Sequence, residues 1–244
     1  MNDRRKLLLY SICLVIGQGL LLGCGAVQDA TREVVASTQL SPADPGSSAA
    51  SLDEATAVEL LQLDLISGDT QHRKRAVEAL GSLGSESAVL PLSLAMTAVD
   101  TEVRLDAIHA LSLVASDQAA DVLVATLGDP DPAIREEVLD VLGSMGADGK
   151  VGEIEQALTD PDRAVREAAI DALAEIGGEL SALALAAALS DAEPSLREDA
   201  VYALGDIGGQ QAVELLQQAL LDQEISIREA ATEILAELRH ESAP

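Results

Sequence analysis

The chain has 244 residues, of which 42 are acidic and 15 are basic, so its formal net charge at pH 7 is −27. This balance leaves no basic stripe to neutralise phosphates, so we expect no nucleic-acid partner. Aromatic residues make up 1% of the chain, which argues against a tight interface anchored by aromatic side chains.

Residues 1–23 have the features of an export signal. Three basic residues at positions 4–6 precede an apolar run over 7–22, which is shorter than the roughly 20 residues of a membrane span. The run ends in Leu-Leu-Gly-Cys, which resembles the bacterial lipoprotein box and implies cleavage after Gly23 and lipidation of Cys24. An ordinary secretory signal and an uncleaved anchor are the alternatives.

Residues 24–52 are predicted to be the lipidated cysteine and a flexible tether, because 41–48 is rich in small and turn-forming residues. Residue 25 is Gly and not Asp, which in the lipoprotein pattern implies sorting to the outer membrane. The predicted location is therefore the bacterial cell envelope, on the outer membrane facing the periplasm. Only the lipid anchor is expected to contact the membrane.

The first predicted helix lies near 53–66. Its residues 57–62 recur letter for letter at 212–217, an offset of five periods of 31 residues. The period itself is set by an arginine and by an acid four positions before it, which predict a stack of repeated units. The two columns are Arg73, Arg104, Arg135, Arg166, Arg197 and Arg228, and Asp69, Asp100, Asp131, Asp162, Glu193 and Glu224.

Each arginine belongs to a helix whose apolar residues lie one position before it and three, seven and ten after it. The acid is placed to cap the start of this helix, and glycines at 84, 146, 177 and 208 end it. A second amphipathic helix completes each unit. We call the helix that carries the arginine the first-type helix and the other helix of the unit the second-type helix. The array is predicted to hold twelve helices: a lone second-type helix, five pairs and a final first-type helix at 225–239.

Copies such as 162–177 resemble the HEAT-like repeats of the phycobilin-lyase type. The resemblance covers about 53–240, leaving 241–244 as a tail. It implies an all-α fold, a right-handed α-α superhelix (solenoid) of 31-residue helix pairs, with second helices on the concave side. It also implies that the arginine and acid columns bond within and between repeats, but it is weak for function because such repeats serve scaffolds, regulators and a few enzymes.

Two predicted second helices carry apolar residues outside their core-facing columns. Leu90 and Leu94 lie in the first unit, and Leu183, Ala186 and Ala187 lie in the fourth. We interpret them as a candidate groove for an extended or helical segment of another protein. The alternative is that they pack against neighbouring helices, where Ala is simply a good helix former.

The three histidines form no catalytic pattern. His72 stands in a terminal repeat, His109 in a polar column and His240 at the C-terminal end. Deoxyhypusine hydroxylase resembles this array in its repeats and holds two irons with several His-Glu pairs, whereas this sequence has one such dipeptide, at 240–241. We therefore expect no cofactor, no metal and no small-molecule substrate.

The sequence thus predicts a non-catalytic scaffold or regulator that binds unidentified envelope proteins. One alternative is an enzyme or enzyme accessory resembling the phycobilin lyases or deoxyhypusine hydroxylase, which is an oxidoreductase. Another is an acidic, chaperone-like binder of cationic clients, which would bind basic peptides in a salt-sensitive manner.

Overall fold

The periodic part of the sequence folds into alternating first-type and second-type helices. The computed structural model describes residues 54–241, without the side chains of Ser67 and Glu241. These residues belong to the compact unit Leu52–Pro244, and the unit Met1–Ser51 lies outside the described residues. Within 54–241 the chain forms twelve α-helices and no strand, which confirms the predicted all-α solenoid.

The helices alternate between the two types along the chain. The first-type helices are α2 (Thr70–Leu83), α4 (Thr101–Val114), α6 (Pro132–Ser144), α8 (Arg163–Ile176), α10 (Pro194–Ile207) and α12 (Ile225–Glu241). The second-type helices are α1 (Glu54–Ser67), α3 (Val89–Ala95), α5 (Asp117–Ala125), α7 (Val151–Ala157), α9 (Gly178–Ala184) and α11 (Gly209–Ala219). Short 3-10 turns cover Glu86–Ala88, Thr126–Gly128, Asp148–Lys150 and Ala188–Ser190.

The helix N-termini follow the predicted capping only in part. Asp69, Asp131 and Asp162 each accept a hydrogen bond from a backbone N–H of the first helical turn. Asp100 and Glu193 occupy the same position, but their carboxylates make no capping bond. These two carboxylates turn instead towards arginines of the preceding repeat.

The C-termini of the first helices require a backbone with positive φ. Glycine provides it at four equivalent positions, with φ between 58° and 69°. Ala115 stands at the fifth equivalent position with φ 46° and is the one non-glycine residue of 54–241 with positive φ. The chain therefore accepts a strained alanine at the end of α4.

The helices form two layers, because each first helix packs on the next first helix and most second helices pack on the next second helix. The first helices bury two apolar columns that the sequence pattern did not predict: Val77, Ile108, Leu139, Ile170 and Val201, and also Ala110, Val141, Ala172 and Ala203. Each of these first helices is flanked on one side by the next first helix, so its buried stripe is wider than that of a surface helix. The predicted column ten residues after each arginine is only partly buried, and Leu83 is exposed.

Candidate functional site

The arginine column lies at the turns that lead into the first helices. In all six copies, one guanidinium nitrogen donates to a backbone carbonyl of the turn before its own helix, at 2.7–3.3 Å. This bond supplies a donor to a carbonyl that lies outside the hydrogen-bond pattern of the helix, and it holds the turn against the helix. Each arginine therefore stabilises the turn of its own repeat.

The rest of the guanidinium reaches forward to carboxylates of the next repeat. Arg135 makes two hydrogen bonds to Asp160, of 2.8 and 2.7 Å, in the bidentate geometry that favours Arg over Lys. Within the described residues, Arg228 contacts no carboxylate. The five junctions pair Arg73 with Asp100, Arg104 with Asp129 and Asp131, Arg135 with Asp160, Arg166 with Asp191 and Glu193, and Arg197 with Asp222.

These pairs differ from the expected ones. Of the acid column four residues before each arginine, three members contact an arginine of the preceding repeat: Asp100, Asp131 and Glu193. The more regular partner is an aspartate two residues earlier, which also accepts the N–H of the second residue after it. This column, Asp129, Asp160, Asp191 and Asp222, recurs every 31 residues.

The arginines and the carboxylates that they bind form a ladder between successive repeats, and hydrogen bonds stabilise the charged form of two of its aspartates, Asp222 and Asp160. Hydrogen bonds from Arg197 lower the pKa of Asp222 below its usual range. Burial works to raise the pKa of Asp160, but the hydrogen bonds from Arg135 and from the backbone of Asp162 outweigh it and leave that pKa lowered. Because the side chains of Arg135 and Arg197 are only 11% and 13% exposed, these cations hold the repeats together and are not open to phosphate.

The candidate interaction residues lie on and beside the second helices α3 and α9. Leu90 is 69% exposed, Leu183 is 46% exposed and Leu94 is 40% exposed. Ala187 is also exposed, whereas Ala186 is half-buried and packs against the core. Leu90 and Leu183 occupy equivalent positions three units apart, so the apolar side chains recur along one surface.

Further exposed apolar residues extend this surface. Leu180 in α9, Ile66 in α1 and Leu221 directly after α11 are all exposed, and the last two share one repeat position. Sequence reasoning missed Ile66 and Leu221 because they lie outside the first and fourth units, and it missed Leu180 although that residue lies three positions before Leu183 in the fourth unit. Reading every second helix for apolar residues outside its core columns would have found them.

The first helices carry a surface rich in carboxylates. Burial, and next repulsion from Glu137, raises the pKa of Asp140, while burial and repulsion from Asp199 raise the pKa of Asp171. Asp140 and Asp171 therefore lie partly buried among other carboxylates on this side of the array. Such a surface repels anions and attracts cations.

The histidines lie at the surface, apart from one another in the sequence and in different helices. His72 contacts Asp69 at 2.8 Å, His109 contacts Glu137 at 2.7 Å, and His240 is exposed near the end of α12. In the described part of the chain, no group of three or more His, Cys, Asp or Glu side chains is arranged to hold a metal ion.

Several expected sites lie outside the described residues: the signal 1–23, the cleavage position after Gly23, Cys24 and the tether 24–52. A search of helices within 54–241 finds none with the length and apolar character needed to cross a bilayer.

Comparison with known proteins supports the repeat assignment. A family model described as HEAT repeats matches three overlapping stretches, residues 56–130, 121–189 and 182–244. No curated protein sequence matches significantly.

Solved structures share the fold at low sequence identity. The phycocyanin lyase complex of CpcE and CpcF from Nostoc sp. is 21% identical, with a TM-score of 0.50 over 81% of this chain and 80% of that chain. A designed armadillo repeat protein in complex with the peptide (KR)4 is 19% identical, with a TM-score of 0.50 over 74% of this chain and 98% of that one. Human deoxyhypusine hydroxylase is 20% identical over 76% of this chain and 97% of that one, with a TM-score of 0.44.

Proposed function

This chain belongs to the HEAT-repeat family, and we propose that it is a non-catalytic scaffold that binds another protein through the surface of its second helices. The observation that carries the proposal is the repeated exposure of leucine on that surface, at Leu90, Leu94 and Leu183. A single exposed leucine is ordinary, but leucines at equivalent repeat positions can contact one extended ligand.

The spacing of the leucines constrains the ligand. Leu90 and Leu183 are separated by three helix-to-helix steps of about 8–10 Å each, or roughly 25–30 Å in total. An extended segment rises about 3.3 Å per residue, so about eight or nine residues join the two positions. The positions between them hold Asp121, whose carboxylate contacts Lys150, and Gly152, which leaves open space for a ligand.

The charge of the chain defines the rest of the ligand. With a net charge of −27 and carboxylates on both layers, the array favours a segment with basic residues between two apolar anchors. The designed armadillo protein of similar fold is known with a basic peptide, (KR)4, which is the same chemical class. We therefore expect the partner of this chain to present a cationic, amphipathic segment, and its binding to weaken as salt is added.

We also propose that the scaffold is held in the bacterial envelope by lipid on Cys24. The proposal rests on the basic residues 4–6, the apolar run over 7–22 and the cysteine that follows it. Labelling the producing cells with a fatty-acid analogue should mark the wild-type chain, and Cys24→Ser should remove both the label and the membrane association. A chain that stays in the membrane fraction after Cys24→Ser would contradict the lipid anchor.

The binding surface can be tested by site-specific photo-crosslinking in the producing cell. Crosslinkers at positions 90 and 183 should capture the same protein, and a crosslinker at Leu113, an exposed leucine of the first helix α4, serves as the matched control. The double substitution of Leu90 and Leu183 with Glu should abolish capture at position 94, whereas Leu113→Glu should not. Equal capture from all three positions, or none from 90 and 183, would contradict this surface.

The enzyme alternative has a simple readout. Stoichiometric iron in the purified chain would favour a hydroxylase-type activity over a scaffold, whereas binding of basic peptides without metal supports the scaffold.

A further inference from the structure

The two ends of the described array expose side chains that interior junctions bury. At the N-terminal end, Leu60 of α1 is 47% exposed, whereas its counterpart Leu215 in α11 is 8% exposed. Residues 57–62 and 212–217 have the same sequence, so the side chains themselves do not cause this difference. It arises because α11 packs on the repeat before it, whereas no described repeat precedes α1.

The C-terminal end has the complementary opening. Val213 in α11 is half-buried, while every counterpart in the other second helices is buried: Val58, Val89, Ala120, Val151 and Ala182. Beside Val213 lies an open cavity of about 500 Å³, also lined by Leu238, Gly208 and Gly209. Interior second helices pack against the first helix of their own unit and the second helix of the unit before, as α11 does against α10 and α9. By the same repeat rule, this cavity lies where a second helix would pack against α11 and α12.

The arginine ladder is also incomplete at both ends of the described residues. Arg228 fastens its own turn through the carbonyls of Asp222 and Gln223, but it has no carboxylate ahead of it. Asp69 receives no arginine, and its carboxylate instead contacts Nδ1 of His72 at 2.8 Å. One end therefore holds an arginine without a carboxylate, and the other holds a ladder carboxylate without an arginine.

The first junction shows how these two groups would fit together. There Arg73 binds Asp100, 27 residues ahead, at 2.8 Å, because position 98 is an alanine and supplies no carboxylate. If a second copy continued the array in register, the equivalent partner of Arg228 would be Asp69 of that copy. Position 67, two residues earlier, is a serine, so this contact would repeat the first junction.

We propose that the C-terminal end of one copy docks onto the N-terminal end of a second copy. In this contact α12 of the first copy and α1 of the second form one complete HEAT unit. Leu60 of the second copy then becomes buried, as Leu215 is, and Arg228 binds Asp69 of the second copy. The contact uses the ends of the array and does not depend on the ligand proposed for the second-helix surface.

The contact is weaker than an interior junction. Asp64 stands where α11 has Ala219, and Thr232 stands where the other first helices have a fully buried apolar residue. Burying these polar groups costs free energy, so the association depends on protein concentration. The contact joins two different surfaces, so copies add in one direction and the mean mass rises beyond a dimer as concentration increases.

Sedimentation velocity of the full chain in a nonionic detergent tests this association. We expect the mean mass of the wild type to rise with protein concentration. Arg228→Glu and Asp69→Arg should each weaken association at least about tenfold, because each places like charges opposite one another. An equimolar mixture of the two variants should associate again into alternating assemblies, because Glu at 228 then meets Arg at 69 and Arg at 228 meets Asp at 69.

Two further variants control for misfolding, since Asp69 also caps α2. Leu60→Arg leaves that cap intact and should weaken association to a similar degree, whereas Leu113→Arg, away from both ends, should leave it unchanged. Far-UV circular dichroism confirms that each variant is helical. A wild type that stays monomeric at every concentration, or a mixture that behaves like either single variant, would overturn the proposal.

Discussion

Ala115 has a positive φ, as the glycines at the four equivalent positions do, and it shares the left-handed conformation of Gly84. Its φ of 46° brings the methyl group close to the neighbouring carbonyl, at a cost of roughly 1–2 kcal/mol. Replacing it with glycine removes this strain, although it also makes the unfolded chain more flexible. We expect Ala115→Gly to raise the free energy of unfolding by about 0.5–1 kcal/mol, measured by urea denaturation.

A matched substitution separates strain from chain flexibility. Ala236 lies exposed within α12, where the backbone is helical. Ala236→Gly should lower the free energy of unfolding by about 1 kcal/mol, the usual cost of glycine in a helix. If both variants were destabilised equally, the strain assigned to Ala115 would be wrong.

Two aspartates should respond to pH in opposite directions. The pKa of Asp222 is lowered by Arg197, so its contribution to stability is present above its usual value of 3.8 and is lost as pH falls through its folded-state pKa. The pKa of Asp171 is raised by burial and by Asp199, so its ionisation destabilises the fold as pH rises above that value. At pH 7, Asp222→Asn should therefore destabilise the protein by about 2 kcal/mol, whereas Asp171→Asn should stabilise it slightly.

Thermal unfolding between pH 3 and pH 7 measures both effects. The two differences from wild type should shrink in acid, because Asp171 becomes protonated in both states, whereas Asp222 becomes protonated first in the unfolded state and only at lower pH in the folded one. A destabilisation by Asp222→Asn that persists unchanged at the acid end would show that packing, and not the ion pair with Arg197, causes it.

At the scale of the element, glycines set how closely the first helices approach. A methyl group added to Gly143 in α6 would lie 2.8 Å from the backbone Cα of Ala172 in α8. At Gly205 in α10 the equivalent contact, also 2.8 Å, is with the side chain of Ile234, which can adjust. Gly143→Ala should therefore destabilise the protein by about 1–3 kcal/mol despite the better helix propensity of alanine, and Gly205→Ala should cost less.

Differential scanning calorimetry of both variants measures this difference. The opposite order, with Gly205→Ala more damaging, would mean that the α6–α8 backbones separate easily and that the close approach at Gly143 is not required for packing.

The sequence predicts the helices well because the repeat supplies six copies of each pattern. The order of twelve helices, the glycines that end four of them and the buried residue before five of the six arginines all follow from the 31-residue period. The period could not show which of two acids meets an arginine, because the columns of Asp131 and Asp129 both recur, in six and four copies, and only the orientation of the side chains in the turn separates them. The additional buried columns at Leu139, at Val141 and at their equivalents were also missed, since they depend on how neighbouring first helices pack.

The surface was harder to predict than the core. Leu90 and Leu183 stand out in the sequence as apolar residues outside the core columns, but Ala186 shares that pattern and is half-buried. Only the packing of the layers separates such residues. Ser181 is a further example: it is fully buried, and its hydroxyl has no hydrogen-bond partner, at a position that is alanine in most other second helices.

At the scale of the whole molecule, excess negative charge opposes folding. Carboxylates crowd the first-helix surface, whereas ladder pairs such as Arg166 and Asp191 are largely shielded from solvent. Raising NaCl from about 10 mM to about 150 mM shortens the Debye length from about 30 Å to about 8 Å, which screens the exposed repulsion more than the ladder. We expect the melting temperature to rise over this range.

Potassium chloride at the same ionic strength is the control, because it should produce the same shift if screening is the cause. A melting temperature that falls with added salt would indicate that the ladder ion pairs, rather than the repulsion, dominate the electrostatics of the fold.

The contacts that five of the six arginines make with two successive repeats have an evolutionary consequence. One guanidinium donates hydrogen bonds both to the turn before its own helix and to an aspartate in the turn of the next repeat. Any unit can therefore follow any other without a new kind of contact. A duplication of the DNA encoding one unit would lengthen the protein while preserving its joints. Natural selection could therefore vary the number of units and the exposed side chains independently of the residues that connect them.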